Sequence, residues 1–458
     1  MEFKEILRFA DHALYKKTGK HLNNLQSDIL EGHKYAQIAE KHQCTTDYVG
    51  SVASDLWKFL SDELGEKINK SNVHARLENA IFNIISDSPH TNNNINYCPH
   101  NSHSPDIETQ KTPHIETPYI DLDDAPCINF FYGRTQQLND LEKYIFQQKA
   151  RLIAIFGLSG IGKTSLTLQL IENVKENFDF VLWRNLQYFP HPQDLLQELI
   201  DIFLTRENQD KCQKPQLRTL INYLKKYRCL IVLDDLQYLF VSGELSGQYQ
   251  LKSQEYQKIF KKIAEVNHKS CVLLLSQEKP REIDQLETVN PAVLSLELKG
   301  LDSSATGILK FQGLQPEQQW LNLIDLYQGH PHWLHLISTM IQQLAQGKIT
   351  DIFIDNCILL TEDLKDCLNE IYQNLAPVEK TILSTLAKEN QSITLEQFKI
   401  LVNIEQAELL EGLRSLSKRC LIETLETPEF IYKINPIMGK FILSKNSENY
   451  HNGHEYVT

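Results

Sequence analysis

The chain has 458 residues, 41% of them hydrophobic and 23% charged, with 46 Lys and Arg against 59 Asp and Glu for a formal net charge of −13. That length suits about two to four domains of ordinary soluble composition, and the acidic balance excludes a chain built mainly to hold nucleic acid or an anionic membrane surface. The nine cysteines are scattered without a CxxC pair, which fits reduced thiols in a cytoplasmic protein. No apolar run approaches the roughly 18 residues of a membrane span, and the acid-containing N-terminus is neither a secretory signal nor a transit peptide.

Residues 1–86 read as helical throughout. Phe3, Leu7, Ala10 and Leu14 share one face, and Leu22, Leu25, Ile29 and Leu30 form a second apolar set. Tyr35 to Val49 reads as a short helix, a turn and a second helix starting near Thr45, with Val49, Val52, Leu56, Phe59 and Leu60 as its buried stripe: a helix-turn-helix pattern. Its would-be recognition helix exposes Asp47, Ser51, Ser54, Asp55 and Lys58. Groove-reading helices bring Arg, Lys, Asn or Gln to bases and phosphates, and residues 1–86 hold 11 Lys and Arg against 12 Asp and Glu. The charge count favours a protein partner over nucleic acid.

Residues 87–126 are rich in Asn, His, Ser, Thr and Pro and read as a flexible linker. Cys98, His100 and His103 lie in it without the second well-spaced pair of a zinc site.

Residues 127–298 read as a nucleotide-binding domain. An apolar run, Leu152–Phe156, leads into Gly157-Leu-Ser-Gly160-Ile161-Gly162-Lys163-Thr164-Ser165, and the apolar spacing then turns helical at Leu166, Leu168 and Leu170. This is a buried parallel strand, a tight loop and a helix. The glycines let successive N–H groups close around a polyphosphate at a helix N-terminus. GxxxxGKT spacing sends Lys163 to the β/γ-phosphates and the Thr164 hydroxyl to Mg²⁺. Cys229–Asp235 is a second buried strand whose tip delivers two acids, Asp234 for the metal shell and Asp235 either to position the attacking water or to cap a helix. With runs at Phe180–Arg184, Cys271–Leu275 and Leu294–Leu298, a parallel sheet of about five strands with helices on both faces accounts for residues 128–298.

Residues 299–370 return to helical spacing, with Gly329-His330-Pro331 feeding a new helix. Residues 371–445 give helices around Ile382, around a Thr394/Gln397 capping box and around Leu409–Leu416, then strands at Leu421–Leu425 and Phe430–Ile434: a winged-helix arrangement. The end, from Ser444 and over residues 446–458, reads as a polar, frayed tail. The expected fold class is therefore multidomain α and α/β.

In this order the motifs resemble the NB-ARC branch of the STAND NTPases, which includes plant disease-resistance proteins, apoptosome cores and bacterial relatives. Phe131-Tyr-Gly133-Arg134 looks like the family's adenine-side motif, Gly157–Thr164 its Walker A, Leu230–Asp235 its Walker B. Gly329-His-Pro331 is similar to the motif whose proline lies against the base. Residues 377–438 resemble the winged helix that caps the nucleotide in the ADP state. Residues 1–86 look like the N-terminal domain of cyanobacterial NB-ARC and vWA-MoxR-associated proteins, through Phe3–Leu7, Thr18–Leu22, Tyr35–Ala39 and Leu56–Leu60. Gln277 stands where the family places an arginine that touches the γ-phosphate, with Arg281 nearby as a substitute, and Asn435 replaces its Met-His-Asp contact. The given sequence ends soon after this module, where relatives carry WD40, TPR or leucine-rich repeats.

The resemblance implies an ATP/ADP and Mg²⁺ binding signalling switch with slow ATPase activity. Nucleotide exchange would open the molecule and drive homo-oligomerisation in the ATP state, and residues 1–86 would recruit a protein partner. Lys163, Thr164 and Asp234 would hold phosphate and metal, and Arg134 and Pro331 would frame the adenosine. The alternative reading is a STAND-type transcriptional regulator whose N-terminal helix-turn-helix binds DNA.

Overall fold

Side chains alternate above and below each strand, and that alternation decides how this protein layers. The structure, a computed structural model, describes residues 38–39, 41, 44–64, 117–126, 128, 130–210, 214–353, 357–389, 392–426 and 430–452. The helices expected before residue 38 and after Leu64, the Cys98/His100/His103 tract, the 87–116 part of the linker and the last residues of the tail lie outside them. The described residues fall into two compact units.

The first unit contains α1 (Thr46–Leu64). Val49, Ala53, Leu56 and Leu60 are buried along it, and Ile38 and Ala39 are buried before it. Val52, expected in the stripe, is only half-buried, and Ser54 and Lys58 are exposed as expected. The side chains of Asp47, Ser51, Asp55 and Phe59 lie outside the described residues.

The second unit holds the sheet. Its strands are β1 (Tyr119–Asp121), β2 (Leu152–Phe156), β3 (Phe180–Asn185), β4 (Cys229–Asp234), β5 (Cys271–Ser276) and β6 (Val293–Glu297). All pair in parallel, in the order β1-β3-β4-β5-β2-β6. Ile153, Ile155, Val181 and Trp183 pack under α2 (Thr135–Phe146) and α3 (Lys163–Val174) on one face. Leu152, Ala154, Phe180 and Leu182 pack under α4 (Pro192–Arg206), α5 (Leu217–Lys226) and α6 (Tyr256–Glu265) on the other. Burial on both faces is why these strands read as continuous apolar runs.

The sheet has one strand more than the sequence suggested. Residues 119–121, assigned to the linker, form β1, and the linker is corrected to that extent. Three residues of mixed polarity carry no readable period. Backbone pairing to β3 and a 2.7 Å ion pair from Arg184 to Asp121 hold the strand in place.

After α7 (Arg281–Leu286) and β6, a third core runs from Leu301 to Ile442. It is built by α8 (Thr306–Phe311), α9 (Trp320–Leu326), α10 (Pro331–Ala345) and α11 (Glu362–Gln373), then α12 (Pro377–Glu389), β7 (Ile393–Thr394), α13 (Leu395–Leu401), α14 (Gln406–Lys418), β8 (Ile422–Glu426), β9 (Phe430–Ile434) and α15 (Pro436–Asn452). Strands β7, β9 and β8 form a small antiparallel sheet in that spatial order. The Thr394/Gln397 capping box forms as the spacing predicts. The frayed tail expected from Ser444 is corrected: α15 continues to Asn452. Phe441 and Ile442 are buried in the third core, and Lys445 lies over the Tyr372 and Phe441 rings and donates to Asn369, which anchors the helix past that point.

Candidate functional site

The site is built where β2 ends. Gly157, Gly160 and Gly162 all take positive φ, so the chain turns sharply before α3 begins at Lys163. Gly160 is the most demanding position: a Cβ there would stand 2.7 Å from the Cβ of His332, so the loop passes α10 with no room for a side chain. The Lys163 ammonium folds back on the loop and donates to the carbonyls of Gly157 (2.8 Å) and Leu158 (3.1 Å). Burial lowers its pKa to about 8, against the raising pull of Asp234 and Asp235. Ile161 is buried, and Ser165 stands half-buried in the first turn of α3.

Thr164, second residue of α3, donates to Asp234 Oδ2 at 3.2 Å. Asp234 ends β4 and is buried; burial and the adjacent Asp235 push its pKa up to about 6. A divalent cation here would find a carboxylate and a hydroxyl already converged, and its charge would offset the cost of keeping Asp234 ionised. Asp235 makes no capping hydrogen bond to the 3₁₀ turn it precedes. Its two oxygens accept instead from Asn185 Nδ2 (2.8 Å) and Gln237 Nε2 (2.7 Å). Gln237 Oε1 in turn accepts from the Gln277 backbone N–H at 3.3 Å, so amide groups tie the tips of β3, β4 and β5 together. Gln277, Ser159 and Gln237 line a cavity of about 270 Å³. Arg281 is exposed at the start of α7.

On the other side of the loop, Gly133 and Arg134 both have left-handed φ. A Cβ on Gly133 would collide with Ser304. Arg134 is buried and donates from Nη2 to the Ile161 carbonyl at 2.9 Å, pinning the phosphate loop from the segment that precedes α2. Burial lowers its pKa to about 10, partly offset by Asp302.

Pro331 opens α10 as its first residue and is half-buried. The residue before it, His330, is one that sequence reasoning passed over although it is the middle of Gly-x-Pro. It is 1% exposed, stacks on Trp333 with centroids 3.9 Å apart, and accepts the Trp333 backbone N–H at Nδ1. Nε2 faces the Ser159 backbone without making a hydrogen bond of acceptable geometry. Its pKa lies well below the usual value because of burial, with His332, Lys163 and Arg134 adding positive charge around it. His330, Trp333, Leu158 and Ile161 share a cavity of about 150 Å³ with Gln328 and Asn435. Asn435 caps α15 through Oδ1 and donates from Nδ2 to Gln328 at 2.6 Å.

A second feature with no sequence signal is the cluster around Arg419. Its guanidinium meets Glu278 at 2.7 Å and Glu379 at 3.0 Å, both buried, and donates to the Glu244 carbonyl. Lys279 N–H donates to Lys418 O at 2.9 Å, and Lys418 and Arg414 both reach Asp284. These contacts fasten the α14–β8 connection to the segment following β5.

Residues 1–80 match the family described as vWA-MoxR associated protein N-terminal HTH, and residues 134–242 match the NB-ARC domain. The chain is 30% identical over 324 residues to an uncharacterized WD repeat-containing protein of Nostoc sp., a match that takes in 67% of this chain and 26% of the relative. It is 33% identical over 93 residues to a putative disease resistance RPP13-like protein 2 of Arabidopsis thaliana, covering 19% of this chain and 11% of that one. Among solved structures it is similar to a Walker-type ATPase of Pyrococcus abyssi, at 16% identity and a TM-score of 0.48 over 72% of this chain and 99% of the other. It is also similar to a STAND protein with a tetratricopeptide repeat sensor from Pyrococcus horikoshii, at 22% identity and 0.33 over 69% and 43%. No described helix is long and apolar enough to cross a membrane.

Proposed function

This chain belongs to the NB-ARC family of P-loop NTPases through residues 134–242, and from that premise we propose that it is an adenine-nucleotide switch whose C-terminal helical part closes over the nucleotide site. The observation that carries the reading is the convergence of Lys163, Thr164 and Asp234 at the mouth of a loop that Arg134 pins from one side and α10 crowds from the other.

In this reading the loop N–H groups and Lys163 bind the phosphates, with Thr164 and Asp234 holding Mg²⁺. The adenosine occupies the side framed by Gly133, Arg134, Pro331 and His330. His330, sealed beside the phosphate loop, stays neutral there and packs against the loop at Ser159. Bound magnesium would neutralise phosphate charge during γ-phosphoryl transfer. With both oxygens of Asp235 engaged by amides and a neutral amide at Gln277, turnover is slow and binding state is the output. The α12–β9 module reads as the winged helix, and the Arg419 cluster and the Asn435–Gln328 hydrogen bond are the contacts that hold it closed. The exchange of ADP for ATP biases a two-state element through one phosphate, and opening exposes a surface for self-association. Residues 1–86 recruit a protein partner.

Identification of the nucleotide that copurifies with the chain, followed by equilibrium binding of ADP and ATP, tests the reading. Wild-type protein binds at micromolar or better affinity and Lys163→Ala does not; undiminished ADP retention by Lys163→Ala overturns it.

A further inference from the structure

The parallel sheet has a second end. Opposite the phosphate loop, the residues leading into β2, β3, β4, β5 and β6 surround a concavity of about 1090 Å³. Arg151 precedes β2, Arg228 precedes β4 and Lys269 precedes β5, while Lys149 and Lys225 complete the wall. These five cations share the lining with His268 and with no acid, in a chain whose net charge is −13. None of the five forms an ion pair with another described residue, whereas the neighbouring Lys226 pairs with Glu207 at 2.6 Å.

The two arginines are held rather than free. Arg228 lies 5.2 Å from the Phe146 ring centroid and 5.1 Å from that of Phe178. Arg151 donates from Nε to the Ala264 carbonyl at 2.8 Å and from Nη2 to Asn290 at 3.4 Å. The lysines Lys149, Lys225 and Lys269 are exposed on the rim. Like charges at one concave surface repel, and a fold retains such an arrangement at a cost that an anionic ligand removes. The lowered pKa of His268 has burial as its main cause, and the charges of Arg151 and Lys225 add to it.

We propose that this basin is a second anion site, separate from the Walker loop, and that it takes a compact small molecule bearing several phosphates. Fixed guanidinium groups match phosphate oxygens bidentately, and the basin, half open to solvent, has a volume at the top of the range of small-molecule sites, with its cations gathered around one hollow instead of strung along a groove that tracks a nucleic-acid backbone. A strand's length separates it from Lys163, so occupancy of one site leaves the other accessible.

The test is calorimetric titration of the full chain, saturated with ADP, with inorganic tripolyphosphate at low and at physiological salt. Saturable binding that weakens as salt rises, falls at least tenfold in Lys149→Asn/Lys225→Gln/Lys269→Gln, and persists in Lys163→Ala supports the site. The three lysines are exposed, so the variant keeps its fold. Absence of tripolyphosphate binding overturns the proposal, as does equal binding by the triple variant or loss of all binding with Lys163→Ala. Tight binding of a single-stranded oligonucleotide that tripolyphosphate does not displace overturns it in favour of a nucleic-acid surface.

Discussion

The hydroxyl of Thr164 and the carboxylate of Asp234 meet at 3.2 Å, although β5 lies between the strands that deliver them. One belongs to the first turn of α3 and the other to the tip of β4, and the contact places a metal-binding pair beside the phosphate loop. Its electrostatics set the first prediction. Asp234 is pushed up to about 6 by burial and by Asp235, so the folded chain holds a proton there that the unfolded chain has released. Stability from this group is complete below pH 4 and is lost as pH rises through about 6. Mg²⁺ competes with that proton, so Mg²⁺ affinity at fixed ADP should climb from pH 5 to 6.5 and then level off. Asp234→Asn should remove Mg²⁺ dependence while stabilising the nucleotide-free chain at pH 7 by about 1–2 kcal/mol. A flat Mg²⁺ titration across that range would sink this assignment.

Lys163 gives the opposite sign. Its amine, lowered to about 8 by burial, is largely neutral at pH 9 without nucleotide, and phosphates favour the ammonium form. Binding of ADP at pH 9 should therefore take up about one proton, read as the dependence of binding enthalpy on buffer ionisation heat. Without Mg²⁺, and at about pH 7.3, above the titration of Asp234 and of the nucleotide's terminal phosphate, Lys163 is already mostly charged and the uptake should be severalfold smaller. Equal proton uptake at both values would show that another group is titrating.

Arg419→Ala leaves Glu278 and Glu379 buried without their shared cation. Removing one partner of a buried pair costs about 3–5 kcal/mol, so melting temperature should fall and ADP release should accelerate. Arg414→Ala removes only an exposed partner of Asp284 and should change stability by less than about 1 kcal/mol. If both variants release ADP at the wild-type rate, the cluster is not a latch.

Gly160→Ala adds a methyl 2.7 Å from His332 at φ +75. The expected result is a loss of about 1–3 kcal/mol and at least tenfold weaker nucleotide binding. Gly50→Ala in α1 meets nothing within 4 Å and should stabilise its helix by about 0.5–1 kcal/mol. Thermal melts and ADP titrations of the two variants measure the contrast.

Much of the sheet was legible because burial on both faces forces long apolar runs, and Leu152–Phe156 and Cys229–Asp234 announce themselves that way. The phosphate loop was legible because few residues other than glycine tolerate its backbone. β1 was not: three residues of mixed polarity carry no period, and their pairing is decided by Arg184 from a strand far along the chain. The continuation of α15 past Ser444 was hidden too, since its polar face gave no sign of the Lys445 contacts with Tyr372 and Asn369.

By itself, the sequence determined the local chemistry: which residues cradle a phosphate, which acids stand at a strand tip, and where helices begin, all set by spacing and backbone preference within a few residues. Only the tertiary structure decided that His330 is sealed beside the loop with Nε2 lacking a hydrogen bond, that Arg419 joins Glu278 to Glu379, and that five cations ring the far end of the sheet. Those facts depend on which distant segments pack together, and burial and summed charge are properties of the packed whole that no short stretch of chain encodes.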